Sequence, residues 1–285
     1  MNRAALAGFA CLWLIVPGFA PSAGRTAVGI VHNSSLDAAC ASFSGYAIHP
    51  AWRDELDRRL PEMRKAWLQD GRPVLGQALR MTGLRIGGRR DVRLTLCDLP
   101  SSSILGPVVN ARHALASFTA YPVPLRYKAS VATHELLHAP LAEIDLSESQ
   151  LRKAHSRESR RVRDHLHLFA LMKAAMIDLG REGQLAELRR IDSQLPDGAY
   201  KRAWELVDAT PTRYLRYVDE IRATRRSEML NGSGWPLPDA SPRADVRQTV
   251  YPSPESTCAR RRGERYQFAW SLLIGGCSLA GEEWR

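Results

Sequence analysis

The segment VATHELLHAPL, Val131 to Leu141, constrains this chain more than any other. His134 and His138 stand four residues apart, and on an α-helix such residues share one face. Val131, Ala132, Leu136 and Leu137 around them are uncharged, as on a helix packed into a core. The pattern predicts a buried helix that aims two imidazoles at one point, with Glu135 turned to the side. Pro140 follows closely, and proline lacks a backbone donor and disfavours helix at the residue before it. The helix is therefore expected to end near His138. A bland reading competes: two histidines at a core edge and a salt-bridged glutamate. A third donor converging from elsewhere in the chain separates the two.

The rest of the chain supplies the setting. Residues 51–68 carry Trp52, Leu56, Leu60, Met63 and Trp67 at helical spacing, with Pro61 as a point of bending. DVRLTLCD (91–98) alternates Val92, Leu94 and Leu96 with polar residues and reads as a strand. ASFTAY (116–121) reads as a second, weaker strand and TAVGIVH (26–32) as a third; the Ser-, Gly- and Pro-rich segment between the first two reads as loop. Beyond the motif the patterning is helical as far as Met229, with Gly180 as one cap. The expected fold over residues 25–229 is α+β, a small sheet packed on a mostly helical domain.

At the N-terminus Arg3 leads into an apolar run from Ala4 to Ala20, broken by Pro17 and Gly18 and followed by small residues. This is the layout of a cleavable secretory signal over residues 1–24, and it is short and interrupted for a membrane span. An uncleaved anchor is the competing reading. Residues 230–285, rich in Gly, Pro, Ser and Arg without a period, read as a low-order tail. Cleavage would remove Cys11 and leave Cys40, Cys97, Cys258 and Cys277, an even set that permits disulfides in an exported chain. Cys40 with Cys97 is the expected pair, since both fall in the folded domain; four free thiols compete. Cys258 and Cys277 would pair with each other or with nothing. The expected location is the periplasm or the cell exterior, with no stable membrane span once the signal is gone.

The formal net charge of +10 favours anionic surfaces or acidic substrates. Six of the thirteen residues in LRKAHSRESRRVR are basic. No aromatics interleave them, and an export signal argues against nucleic acid, so a solvated helix face is the expected role.

Two neutral imidazoles suit zinc, which in a catalytic site takes three protein ligands and leaves a position for water. Glu135 would reach that water and accept its proton. Ile144 occupies the position six residues past His138, so no compact third ligand exists. Glu158 sits in SRESRRVR, where an ion pair is the simpler role. His165 in RDHLHLF falls on the apolar stripe of Val162, Leu166, Phe169, Met172 and Met176, where an unpartnered imidazole is costly to bury. It is the expected third ligand. Asp164 stays open as a ligand or as an acceptor orienting a histidine. His167 is rotated away from the direction of His165. Tyr200, Tyr214, Tyr217 and His113 are each available to donate to an oxyanion, and the sequence does not choose among them.

At THELLH the chain resembles the zincin class of zinc metallopeptidases. The likeness covers the motif helix and the strand before it. It implies a zincin-like fold, His134 and His138 as zinc ligands, Glu135 as general base and a peptide or protein substrate. It also implies an edge strand before the motif helix that can pair with an extended peptide. The expected function is an exported zinc-dependent peptidase. The competing expectation is a non-catalytic metal-binding or protein-binding domain on the same scaffold, to which Pro140 lends weight.

Overall fold

A computed structural model describes residues 27–103 and 106–230. The expected signal segment, the expected tail beyond Leu230, and with them Cys11, Cys258 and Cys277, lie outside the described residues.

The sheet has three strands in the order β1 (Val28–His32), β2 (Arg90–Thr95), β3 (Val108–Asn110), all parallel. Ile30 pairs with Val92 and Leu94 with Val109, and all four side chains are buried. Between β1 and β2 run α1 (Ser34–Ser44), α2 (Pro50–Ala66), a π-helical turn (Trp67–Gly71) and α3 (Arg72–Thr82). After β3 come α4 (Leu125–Ala142), α5 (Gln150–Ala154), α6 (Arg160–Asp178), α7 (Glu182–Asp192), α8 (Ala199–Val207) and α9 (Arg213–Leu230). The architecture is α+β, mostly helical, with a small sheet.

Two expectations about local structure are corrected. Residues 116–121 are turns, not a strand, and the strand is Val108–Asn110, inside the segment read as loop. The start of that segment is claimed by α2: the Glu55 carboxylate accepts from the amides of Ala116 (2.9 Å) and Ser117 (2.7 Å), and the Trp52 indole donates to the Ser117 carbonyl (3.1 Å). The Leu115 carbonyl accepts from the amides of Phe118 (3.2 Å) and Thr119 (3.1 Å), so these four amides are not free for a ladder. The outer margin of β3 is also occupied. Val108 exchanges both backbone hydrogen bonds with Ser102, at 2.8 and 2.9 Å, and the Asn110 amide donates to Ser101 Oγ at 3.0 Å. The strand before the motif helix thus offers no free edge along Val108–Asn110.

The third correction concerns α4, which continues through Pro140 to Ala142 rather than stopping near His138. Proline costs a helix the bond its own amide would have made; in the last turn that is a small loss, and Pro140 is buried against the core. Eleven of the eighteen residues of α4 are buried, so packing holds the helix all round. It lies so close to the π-helical turn that a side chain at Gly71 would meet the Trp67 ring at 2.4 Å and the Ala129 carbonyl at 2.8 Å. Thr133 Oγ1 donates to the Gly71 carbonyl across this contact (3.1 Å).

Two buried polar ties hold the elements in place. Cys40 on α1 and Cys97 after β2 form the expected disulfide, with Cα atoms 5.9 Å apart. Beside it Asp37 accepts from Thr95 Oγ1 (2.6 Å) and the Leu96 amide (2.8 Å). The second tie is Asp192 at the end of α7, which accepts from Tyr127 Oη on α4 (3.1 Å) and Trp204 Nε1 on α8 (2.9 Å). Burial pushes its pKa up to about 6, against the opposing pull of its two donors.

Each tie makes a prediction. The disulfide closes a separation of 57 residues, so its reduction should lower the unfolding free energy by about 4 kcal/mol in the chain-entropy account; urea unfolding with and without reductant measures it. Asp192 titrates higher in the folded protein than in the unfolded chain, so its stabilisation is complete below about pH 4 and lost as pH rises through about 6. Asp192→Asn should therefore gain on the native protein by up to about 3 kcal/mol between pH 4 and pH 7. A difference that stays flat across that interval counts against a titrating Asp192.

Candidate metal centre

α4 and α6 pack side by side and turn three histidines toward one another. His134 and His138 come from α4 and His165 from α6. Their ring centroids form a near-equilateral triangle of 4.8, 5.0 and 5.2 Å. His134 Nε2 and His138 Nε2 are 3.0 Å apart, and the three candidate ligand atoms all lie within 4.8 Å of one another. Nitrogens bound to one zinc at about 2.0–2.1 Å in tetrahedral geometry would be about 3.3 Å apart, so small side-chain rotations close the group around an ion.

The hydrogen bonding of His165 points the same way. Its Nδ1 lies 2.6 Å from the Arg161 carbonyl, one helical turn back, and must carry the proton to donate there. Nε2 is then an acceptor, and it is buried without a partner among the described residues. An orphaned buried lone pair on a ring packed against two further imidazoles calls for a cation or a donor.

All three rings are kept neutral. Burial drives His134 well below the ordinary histidine value, helped by repulsion from His138, His165 and Arg161. Burial, then the neighbouring His165, lowers His138 to about 4. Burial lowers His165 to about 4, its backbone hydrogen bond resisting. Neutral imidazole is the form that ligates a metal. His134, His138 and His165 are therefore a buried group that could hold a metal ion.

The other sequence candidates for third ligand lie elsewhere. Glu158 is paired with Arg202 at 2.7 Å. Asp164 is paired with Arg152 (2.8 Å) and Arg160 (3.4 Å). His167 points to the far side of α6, with Nε2 2.9 Å from Glu220 and its ring edge-on to Tyr217. The orienting acceptor for His165 is the Arg161 carbonyl rather than Asp164.

Among the four candidate donors, Tyr200 alone stands at the cluster. Its hydroxyl is 3.5 Å from His134 Nε2, and its ring lies 4.6 Å from that of His165. Tyr214 packs on Lys173, Tyr217 on His167 and His113 on Phe118. Burial, first, and the charge of Glu135 raise the Tyr200 pKa, so the phenol keeps its proton. Arg161 braces it: the guanidinium lies over the Tyr200 ring at 5.6 Å and pairs with Asp197. Asp197, at φ 71°, accepts from the Ala199 amide at 2.9 Å and fixes the start of α8. Phe169 closes the floor, stacked on Trp204 at 4.3 Å and in contact with His134, His165 and Tyr200.

Glu135 is buried, and its carboxylate has no hydrogen bond or ion pair among the described residues. Burial pushes its pKa up to about 8, with Arg161 opposing. It lines a small cleft together with Leu136, Ala139, Ile86, Arg90 and Pro107.

The Arg161 carbonyl was missed by sequence reasoning, although its place one turn before His165 is the signal that would have found it. Comparison of the chain with protein-family models, with curated proteins and with solved structures gave no match.

Proposed function

We propose that the protein is an exported zinc-dependent metallopeptidase. The observation that carries this reading is the convergence of three neutral imidazoles, one with an orphaned lone pair, beside a buried glutamate free of ion pairs. Zinc is the favoured ion because three nitrogen donors in this arrangement suit it and leave a position open. When bound there, it supplies Lewis acidity, polarising a carbonyl and easing deprotonation of water.

The chain's own residues do the rest. His165, its tautomer set by the Arg161 carbonyl, offers Nε2 alongside His134 and His138. Glu135 takes a proton from the attacking water and returns it to the leaving amine. A divalent ion held by the three histidines would favour the carboxylate form of Glu135 and so offset the effect of burial. Tyr200, protonated at every working pH, donates to the oxygen of the tetrahedral intermediate. The Cys40–Cys97 pair supports export, since disulfides persist in oxidising compartments.

A second reading has one observation in its favour. The backbone of β3 is already bonded to Ser102, so a peptide cannot dock there as an added strand. A metal-binding domain without chemistry would show stoichiometric zinc and no cleavage of a diverse peptide library.

Glu135→Gln should retain zinc and lower hydrolysis by roughly 10²–10⁴-fold, whereas His165→Ala should lose the metal. Metal analysis paired with peptide turnover checks both, and hydrolysis that survives Glu135→Gln rules the mechanism out. Tyr200→Phe should keep zinc and lower kcat by about 10²–10³-fold with little change in KM. An unchanged kcat would remove Tyr200 from the reaction.

A further inference from the structure

The motif helix carries a second feature beside the histidine group. Glu135, Leu136 and Ala139 of the motif helix line a cleft of about 140 Å³ together with Ile86, Arg90 and Pro107. A cavity of roughly 150 Å³ accepts a benzene ring, and pockets for drug-sized ligands begin at about 300 Å³. The cleft therefore has room for one side chain.

Its lining is graded. Ile86, Leu136 and Glu135 are buried, whereas Ala139 and Arg90 are exposed. The inner end is thus apolar apart from Glu135, and the outer end is basic. Arg90 has no ion-pair partner among the described residues, although the adjacent Arg89 is paired with Asp91. An unpaired surface arginine is ordinarily just a solvated charge. Arg90 differs in its place, lining the same cleft as the proposed general base.

We propose that this cleft is a substrate subsite for a residue bearing an aliphatic stem and a carboxylate, the stem on Ile86 and Leu136 and the carboxylate on the Arg90 guanidinium. The proposal rests on the peptidase reading, because it is Glu135 that places the cleft next to the bond to be cut. Guanidinium and carboxylate match in a two-pronged hydrogen-bonded pair, which gives direction as well as attraction. The net charge of +10 draws acidic chains toward the surface in the same sense. The carboxylate belongs either to an acidic side chain beside the scissile bond or to the end of the peptide itself, and both present the same chemistry to Arg90.

The test uses the full chain loaded with zinc and quenched fluorescent peptides. The peptides are identical except for Glu, Gln or Lys at one position scanned across the bond, each with a free or an amidated C-terminus. The expected kcat/KM ratio is tenfold or more for Glu over Gln at one position, or for free over amidated ends. The first outcome assigns a side chain and the second a terminal carboxylate. Arg90→Ala should bring that ratio close to one, and Arg90→Glu should turn it toward Lys. Arg90 is exposed, so neither change disturbs the core. A ratio indifferent to Arg90, with hydrolysis intact, overturns the subsite and leaves the peptidase reading standing. If the native protein cleaves none of the peptides, the peptidase reading falls. The subsite is then decided by fluorescence anisotropy of labelled Glu and Lys peptides, free and amidated, on Glu135→Gln protein with and without Arg90→Ala. Carboxylate-selective binding that disappears with Arg90→Ala supports it; any other pattern overturns it.

Discussion

Burying an imidazole is costly unless both ring nitrogens find partners, and α4 and α6 bury three of them against one another. That constraint organises the molecule. His165 satisfies Nδ1 within its own helix and leaves Nε2 buried without a partner among the described residues, its ring packed against His134 and His138. The apolar packing of α6 holds the arrangement: Leu166, Leu168, Phe169, Leu171 and Met172 are fully buried around it. A cation drawn into the group would link two helices far apart in sequence, so metal affinity and the docking of α6 on α4 become one free energy.

The remaining contacts set the surroundings of that group. Asp192 joins α4, α7 and α8 through Tyr127 and Trp204, and Trp204 stacks on Phe169, which touches two of the three histidines. Arg161 acts twice: its carbonyl orients His165 and its guanidinium lies over Tyr200. Loss of its side chain would leave the first role and remove the second. Glu135 follows the first of the three histidines in the chain, lines the cleft, and has no ion pair among the described residues.

How much of this was legible in the sequence depended on the range of the interaction. The pairing of His134 with His138 is local, fixed by helical periodicity, and VATHELLH displays it directly. His165 was legible one step removed, as a polar residue on an apolar stripe. Strand β2 showed its alternation, but Val108–Asn110 is too short to show a period, and residues 116–121 alternate yet give the amides of Ala116 and Ser117 to Glu55 and those of Phe118 and Thr119 to the Leu115 carbonyl. The helix end at Pro140 was misjudged because tertiary burial outweighs one lost bond. Tyr200 could not be chosen, because its place follows from the packing of α8 on α6, which leaves no mark in the neighbouring residues.

The small sheet has a consequence of its own. On the β3 side Ser102 holds Val108, and on the β1 side Arg64 Nε donates to the Ile30 carbonyl at 3.1 Å. Bare strand margins are templates on which one molecule can recruit another, and proteins blunt them with charge or cover. Here an arginine blocks one border and the chain's own backbone the other, so growth of the sheet from molecule to molecule is discouraged at both ends.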